Sequence, residues 1–162
     1  MSVELLVFEV AGGKFSVPLE IVEEVVPYSA ITAVPNSPPF LLGLSAVRGK
    51  ILAVIDAARR YGLGPTLSSH FMICRIRGNL TAITIDRPVI AGAVEVQELS
   101  AEQCAALQKL LKLDAKFIKG AYELLEVKEE GKPSVPSGLR FLAVDADLFV
   151  SAEMASKIGE AS

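Results

Sequence analysis

The chain contains an approximate copy of itself. Phe8-Glu9-Val10-Ala11-Gly12, a return strand and then Glu20 are matched by Ile73 to Gly78, a return strand and then Asp86. Further on, Phe40-Leu41-Leu42-Gly43 and the run ILAVID ending at Asp56 are matched by Phe117-Ile118-Lys119-Gly120 and FLAVD ending at Asp145. One match would mean little, because β-hairpins resemble one another. Four in the same order constrain the fold, and point to two similar small β-barrels packed together, mainly β with short helices. The spacing predicts one domain over 1–150. Its first barrel covers about 1–66 and its second 67–150, with strands free to cross between them. A helical tail is expected over 151–162.

The stretch Gly43 to Asp56, GLSAVRGKILAVID, is the most informative hairpin. Val47 and the ILAVI run are rich in β-branched residues and too short for a globular helix, so they read as strands. Arg48 is a cation at the tip, and Gly49 comes next, where a tight turn needs positive φ. A cation on so apolar a hairpin implies a fixed partner.

Other strands are expected over 4–11, 14–18, 30–34, 70–77, 80–86, 89–99, 117–127 and 139–145, with hairpin turns at Gly12-Gly13 and Gly78-Asn79. LEIVEEVV (19–26) carries Leu19, Val22, Val25 and Val26 at helical spacing and predicts one short amphipathic helix ended by Pro27. Short helices are also expected after Asp56 and from Ala146 to about Ile158. Ser100 and Gln103 fit a capping box for a helix running to about Leu113, with Cys104, Leu107, Leu110 and Leu111 as its core stripe. The run from Pro35 to Pro39 is a rigid loop, and Lys128 to Gly138 a polar one.

The chain is 51% hydrophobic, with a mean hydropathy of +0.45. No apolar run approaches the ~18–20 residues that a membrane-spanning helix needs. The N-terminal MSVELLVFEV has acids and no basic region, unlike a secretory leader. The apolar surplus must therefore fill a large core, partner surfaces, or both. A net charge of −3, from 16 basic and 19 acidic residues, argues against nucleic-acid binding, which depends on basic surface.

Chemistry is sparse. There is one histidine, His70, with no acid placed to orient it, and no nucleophile elbow. Cys74 and Cys104 lack nearby histidines for a zinc site and read as buried thiols in a reducing compartment. Gly12-Gly13 leads into a strand, unlike a phosphate cradle. The adjacent acids Glu23-Glu24 and Glu129-Glu130 point different ways. Asp56 and Asp145 each end a strand, where they would cap the next helix or turn. An enzyme or small-ligand protein on such a duplicated barrel would need clustered polar residues at a pocket, and the sequence singles out none.

The residues that do stand out resemble the CheW family, the coupling proteins of bacterial chemotaxis arrays. Val22, Glu24 and Val25 match its helix motif. Pro35 and Pro38 match its proline loop. Gly43, Arg48 and Gly49 match its hairpin, and Asp56 its strand end. AITID, Ile118-Lys119-Gly120 and FLAVD match the second half more loosely. Ala46 departs from the usual Asn, Ala82 from a common Gly, and Pro88 from the pattern after Asp86. The resemblance implies two five-stranded SH3-like barrels and a non-enzymatic adaptor without cofactor or metal. It would be cytoplasmic and recruited to membrane receptor arrays, with no direct membrane insertion. Implied partners are the regulatory domain of a histidine kinase and the cytoplasmic tip of a methyl-accepting receptor. The alternative is an adaptor of a pilus-motility or other non-flagellar chemosensory pathway. The resemblance also implies an ion pair between Arg48 and Glu24. The expected partner-binding or groove-shaping residues are Val22, Glu24, Val25, Pro35, Pro38, Gly43, Arg48, Gly49 and Ile51.

Overall fold

The structure, a computed structural model, describes residues 1–63, 67–113 and 115–149. The expectations for 64–66, for Asp114 and for 150–162, including most of the terminal helix and the tail, lie outside the described residues. The strands are β1 (Ser2–Val10), β2 (Gly13–Pro18), β3 (Val22–Pro27), β4 (Leu41–Val47), β5 (Lys50–Asp56), β6 (His70–Ile76), β7 (Asn79–Ile85), β8 (Arg87–Glu98), β9 (Ile118–Glu126) and β10 (Val135–Val144). The helices are α1 (Ala57–Arg60), α2 (Ala101–Leu111) and α3 (Ala146–Phe149). Five strands close into barrel A, in the order β8-β1-β2-β10-β9. The other five form sheet B, in the order β3-β6-β7-β5-β4.

The two orders are the same pattern. In each, an antiparallel hairpin (β1-β2 or β6-β7) lies parallel to the last strand of a second hairpin (β9-β10 or β4-β5), and a single strand (β8 or β3) flanks the first. Both flanking pairings are bulged, at Val7/Phe8 against β8 and at Val22/Glu24 against β6. Asp56 N–H donates to Phe40 O, and Asp145 N–H to Phe117 O, each at 2.8 Å. The duplication read from the sequence is thus a duplication of hydrogen bonding. Each sheet, however, takes the first hairpin of one copy and the remaining strands of the other. The halves 1–66 and 67–150 therefore do not coincide with the two sheets. Sheet B runs from Val22 to Ile85, inserted between the β1–β2 and β8–β10 parts of barrel A.

Strand alternation splits the apolar residues between three cores. Leu6, Phe8 and Val10 of β1 join Met72, Cys74 and Ile76 of β6 in a core shared by both sheets, with Ile55, Ile83, Leu142 and Val144. Val7 and Phe141 cluster with Val96 in barrel A. Phe71, Ile73, Leu52 and Val54 form the third core, within sheet B. Strands buried on both faces read as continuous apolar runs, which explains Leu52 to Ile55 and the high hydrophobic fraction. Tyr61, just beyond α1, stacks on Phe15 with ring centroids 4.4 Å apart.

The helix expected over 19–26 is a correction. Leu19–Ile21 make one 3-10 turn, and Val22–Pro27 are strand β3. The bulge is the reason. It lets Val22 pair with Cys74 and Val25 with Met72, so both face the shared core three residues apart, imitating helical spacing. Residues 30–34 form no extended strand, only a single bridge from Thr32 to Leu44. The first and third hairpin turns centre on Ala11-Gly12 and Arg77-Gly78, each one residue before the expected pair. β10 begins at Val135, earlier than expected, which shortens the polar loop. Helix α2 has the expected capping box and stops at Lys112, whose φ is +57°. Cys104, Leu107 and Leu111 pack on the shared core, but Leu110 is 76% exposed and leaves the stripe.

Candidate protein-docking site

Sheet B differs from barrel A in how it ends. In barrel A, β8 pairs with β9 through Val96, Gln97 and Glu98, and Leu99 N–H donates to Ala121 O at 2.9 Å. In sheet B the terminal strands are β3 and β4, and the segment after β3 crosses to β4 as a strap. Thr32 and Leu44 exchange two backbone hydrogen bonds of 2.8 Å. The hydroxyl of Ser45 donates to Ala30 O at 2.8 Å and lies 3.0 Å from Ser29 Oγ. At the other end of this seam, Arg48 Nε lies 2.8 Å from Glu24 Oε2. The ion pair thus joins edge strand β3 to the turn that follows edge strand β4, where backbone pairing is missing.

The local sequence explains the reach. Arg48 and Gly49, with φ of +49° and +79°, form the tight turn between β4 and β5, whose geometry matches strand twist. The turn holds the arginine at the sheet's rim. Glu24 comes just after the bulge, so it turns to the face opposite Val22 and Val25. Its neighbour Glu23 reaches Arg75 of β6, Nε to Oε1 3.2 Å. The adjacent acids diverge, and each meets its own arginine. Arg48 is 73% exposed and Glu24 32%, so the pair belongs with solvent-screened bridges worth about 1 kcal/mol or less.

Gly43 is fixed by the strap. Its φ is +146°, and a Cβ there would lie 2.1 Å from Thr32 O. Ile51 is 64% exposed and sits across from exposed Ala46, making an apolar step beside the Arg48 turn. Pro35 and Pro38 shape the strap's return: Asn36 takes φ +60°, Leu41 N–H donates to Pro38 O, and Ser37 Oγ donates to Val34 O. Val22 and Val25 pack half-buried against the shared core. The nine residues therefore fall into a rim group (Glu24, Arg48, Gly49, Ile51), a strap group (Pro35, Pro38, Gly43), and two valines on the opposite face.

Sequence reasoning missed the strap's contribution. Tyr28 packs against Phe71 at 4.8 Å between centroids and remains 43% exposed. The clue was Ser45, a lone hydroxyl in an apolar strand. Also missed was Arg60, whose guanidinium lies 4.8 Å from the ring centroid of Phe40 and 4.2 Å from that of Phe117, linking the two copies' equivalent phenylalanines.

His70 Nδ1 lies 2.8 Å from Ser69 Oγ, and that hydroxyl donates to Asp86 O. Among the described residues, no three His, Cys, Asp or Glu side chains converge as a metal cage would require, and no helix is long and apolar enough to cross a membrane.

A family model described as "CheW-like domain" matches residues 4–134. The chain is 30% identical over 86 residues to a probable chemotaxis protein CheW of Rhizobium etli, covering 51% of this chain and 56% of that protein. It is 26% identical over 86 residues, with the same coverage, to the chemotaxis protein CheW of Rhizobium meliloti. The matched region is thus a little over half the length of these relatives. The crystal structure of scaffolding protein TtCheW from Thermoanaerobacter tengcongensis superposes with a TM-score of 0.69 at 20% identity, covering 95% of this chain and 96% of that one, which establishes a shared fold. With the family model spanning most of the two-sheet architecture, the chain belongs to the CheW-like domain family.

Proposed function

We propose that this protein is a non-enzymatic adaptor of a chemosensory array. It couples the cytoplasmic tip of a methyl-accepting receptor to the regulatory domain of a histidine kinase. The observation that carries this reading is the CheW-like match over residues 4–134 on a fold with exposed apolar and charged edges. Chemotaxis CheW relatives support the same assignment. In this reading the protein works in the cytoplasm and is held at membrane receptor arrays by its partners.

The Arg48–Glu24 pair holds the seam of sheet B in the shape that the receptor helix meets, with Ile51 offering apolar contact beside it. Docking of an amphipathic helix depends on groove shape and apolar anchors more than on one exposed charge. The test reconstitutes receptor-containing membranes, kinase and the full chain, and measures receptor-dependent kinase activity. Arg48→Ala should weaken coupling about fivefold, the equivalent of roughly 1 kcal/mol. Arg48→Glu combined with Glu24→Arg should recover part of the loss. Failure of the wild-type chain to bind any chemosensory kinase of its source would overturn the adaptor reading. Equal loss in the single and the swapped variants would overturn the pair's role.

A further inference from the structure

We propose that barrel A carries a binding site for a small zwitterionic molecule of amino-acid size. The site lies away from the Arg48 hairpin, where β2 leaves the barrel. β1 begins pairing with β8 at Ser2 but with β2 only at Leu5, opposite Pro18. On the far side, β2 runs parallel to β10 at Ser16 and Ala143. A cavity of about 370 Å³ opens between them, walled by Leu5, Pro18, Tyr122, Ala143 and Ser16. This volume lies within the usual range of ligand pockets. Small residues leave the space: Ala143 and Ser16 face each other across the parallel pair, and Gly120 is the cross-strand partner of Ala143.

The polar groups around this cavity are unused. Ser16 Oγ is buried, on a residue 1% exposed, and has no hydrogen-bond partner. Buried hydroxyls are rarely left so, because each one costs free energy. Three charged residues, Glu4, Glu20 and Lys119, also border the cavity. They are exposed and join none of the ion pairs among the described residues. Elsewhere on the same barrel, Glu9 meets Arg87 at 2.8 Å and Glu123 meets Arg140 at 2.8 Å. Two carboxylates beside one ammonium suit a ligand carrying both charges. Its ammonium would take Glu4 and Glu20, its carboxylate Lys119, and its short apolar body the Leu5, Pro18 and Tyr122 wall.

The site gives the protein a small-molecule input and does not depend on the adaptor assignment. Isothermal titration calorimetry on the full chain tests it directly. The probes are the twenty standard α-amino acids at about 10 mM, which fills a site with a Kd of ~1 mM. Leucine is compared with 3-methylbutylamine and 4-methylpentanoate, which each lack one of its charges. At least one amino acid should bind saturably, one per chain. Lys119→Ala should weaken it roughly tenfold, as loss of a charge-assisted hydrogen bond does, and leave any binding of the amine unchanged. Glu4→Gln with Glu20→Gln should weaken the zwitterion and the amine together. All three substitutions sit on exposed side chains, and an unchanged far-UV circular dichroism melt verifies the fold. No saturable binding by any amino acid would overturn the site, as would binding unaffected by these variants or equally strong binding of the singly charged analogues.

Discussion

Gly43 and Gly120 occupy the same place in the two copies, yet alanine should have opposite consequences at them. At Gly43 the added Cβ would lie 2.1 Å from Thr32 O, 2.7 Å from Thr32 C and 2.9 Å from Ala33 Cα. All three are backbone atoms, so no side chain can swing aside. The φ of +146° is also one that an L side chain rarely adopts, costing about 1–3 kcal/mol. Relieving the clash means moving the strap, which breaks the two Thr32–Leu44 hydrogen bonds, each worth about 1 kcal/mol net. Summing these costs, Gly43→Ala should destabilise by about 3–5 kcal/mol. At Gly120 nothing lies within 4 Å of a new Cβ, and φ is not in the strained region. Gly120→Ala should be neutral, or stabilise by up to about 1 kcal/mol through a less flexible unfolded chain. Urea unfolding read by circular dichroism and tyrosine fluorescence measures both, the chain having no tryptophan. With a slope of about 1–3 kcal/mol per molar urea, Gly43→Ala should lower the midpoint by roughly 1 M or more, and Gly120→Ala should leave it in place or raise it. Equal shifts in the two variants, or a Gly43→Ala midpoint at the wild-type value, would refute the claim that the strap fixes Gly43.

Glu123 offers a pH test. The hydrogen bond from Arg140, at 2.8 Å, together with the N–H of Gly138 and the Arg140 charge, holds its carboxyl below the ordinary value against an opposing effect of burial. A lowered folded-state pKa contributes stability that is present above the unfolded carboxyl's pKa and lost as pH falls through the folded one. Glu123→Gln should therefore flatten the acid limb of the stability–pH curve measured by thermal melts, and an unchanged limb would refute the assignment. The thiols should separate under a disulfide reagent. Cys74 is fully buried, and burial pushes its thiol up to about 12. Cys104, partly exposed on α2, should react in the native protein, and Cys74 only on unfolding; a reading of two native thiols would contradict the burial of Cys74.

Much of the architecture was legible because duplication is a statement about order, and order survives divergence. Asp56 and Asp145, Phe40 and Phe117 hold the same backbone bonds in both copies. The exchange of hairpins between sheets was not legible, since nothing in FEVAG or CRIRG says which copy's later strands they pair with. The β3 bulge defeated periodicity, because inserting one residue turns a period of two into a step of three. Arg48 and Glu24 could be paired only by resemblance, as they are distant in sequence and their contact is made by the curl of sheet B. Gly43 stood out as part of a motif, but its cause, the carbonyl of Thr32, belongs to a segment whose own strand signal was false. Glu123 gave no signal: a glutamate in a strand reads as solvent-facing until Arg140 is found opposite it.

The insertion of sheet B within barrel A sets the order in which a growing chain can be completed. Hairpin β1–β2 leaves the ribosome first, but Ser2 must wait for Glu95 and Phe15 for Leu142. Sheet B has all five of its strands once Ile85 is made. During synthesis its Met72, Cys74 and Ile83 face must lean on a lone hairpin carrying Leu6, Phe8 and Phe15. That early assembly has part of the shared core but no barrel around it, and long-range pairing of this kind is slow and prone to aggregation. Among the ten strands β10 emerges last, and it both closes the barrel and covers the waiting hairpin. A stalled or prematurely released chain would thus fail as a whole, with no half of it able to stand in for the complete fold.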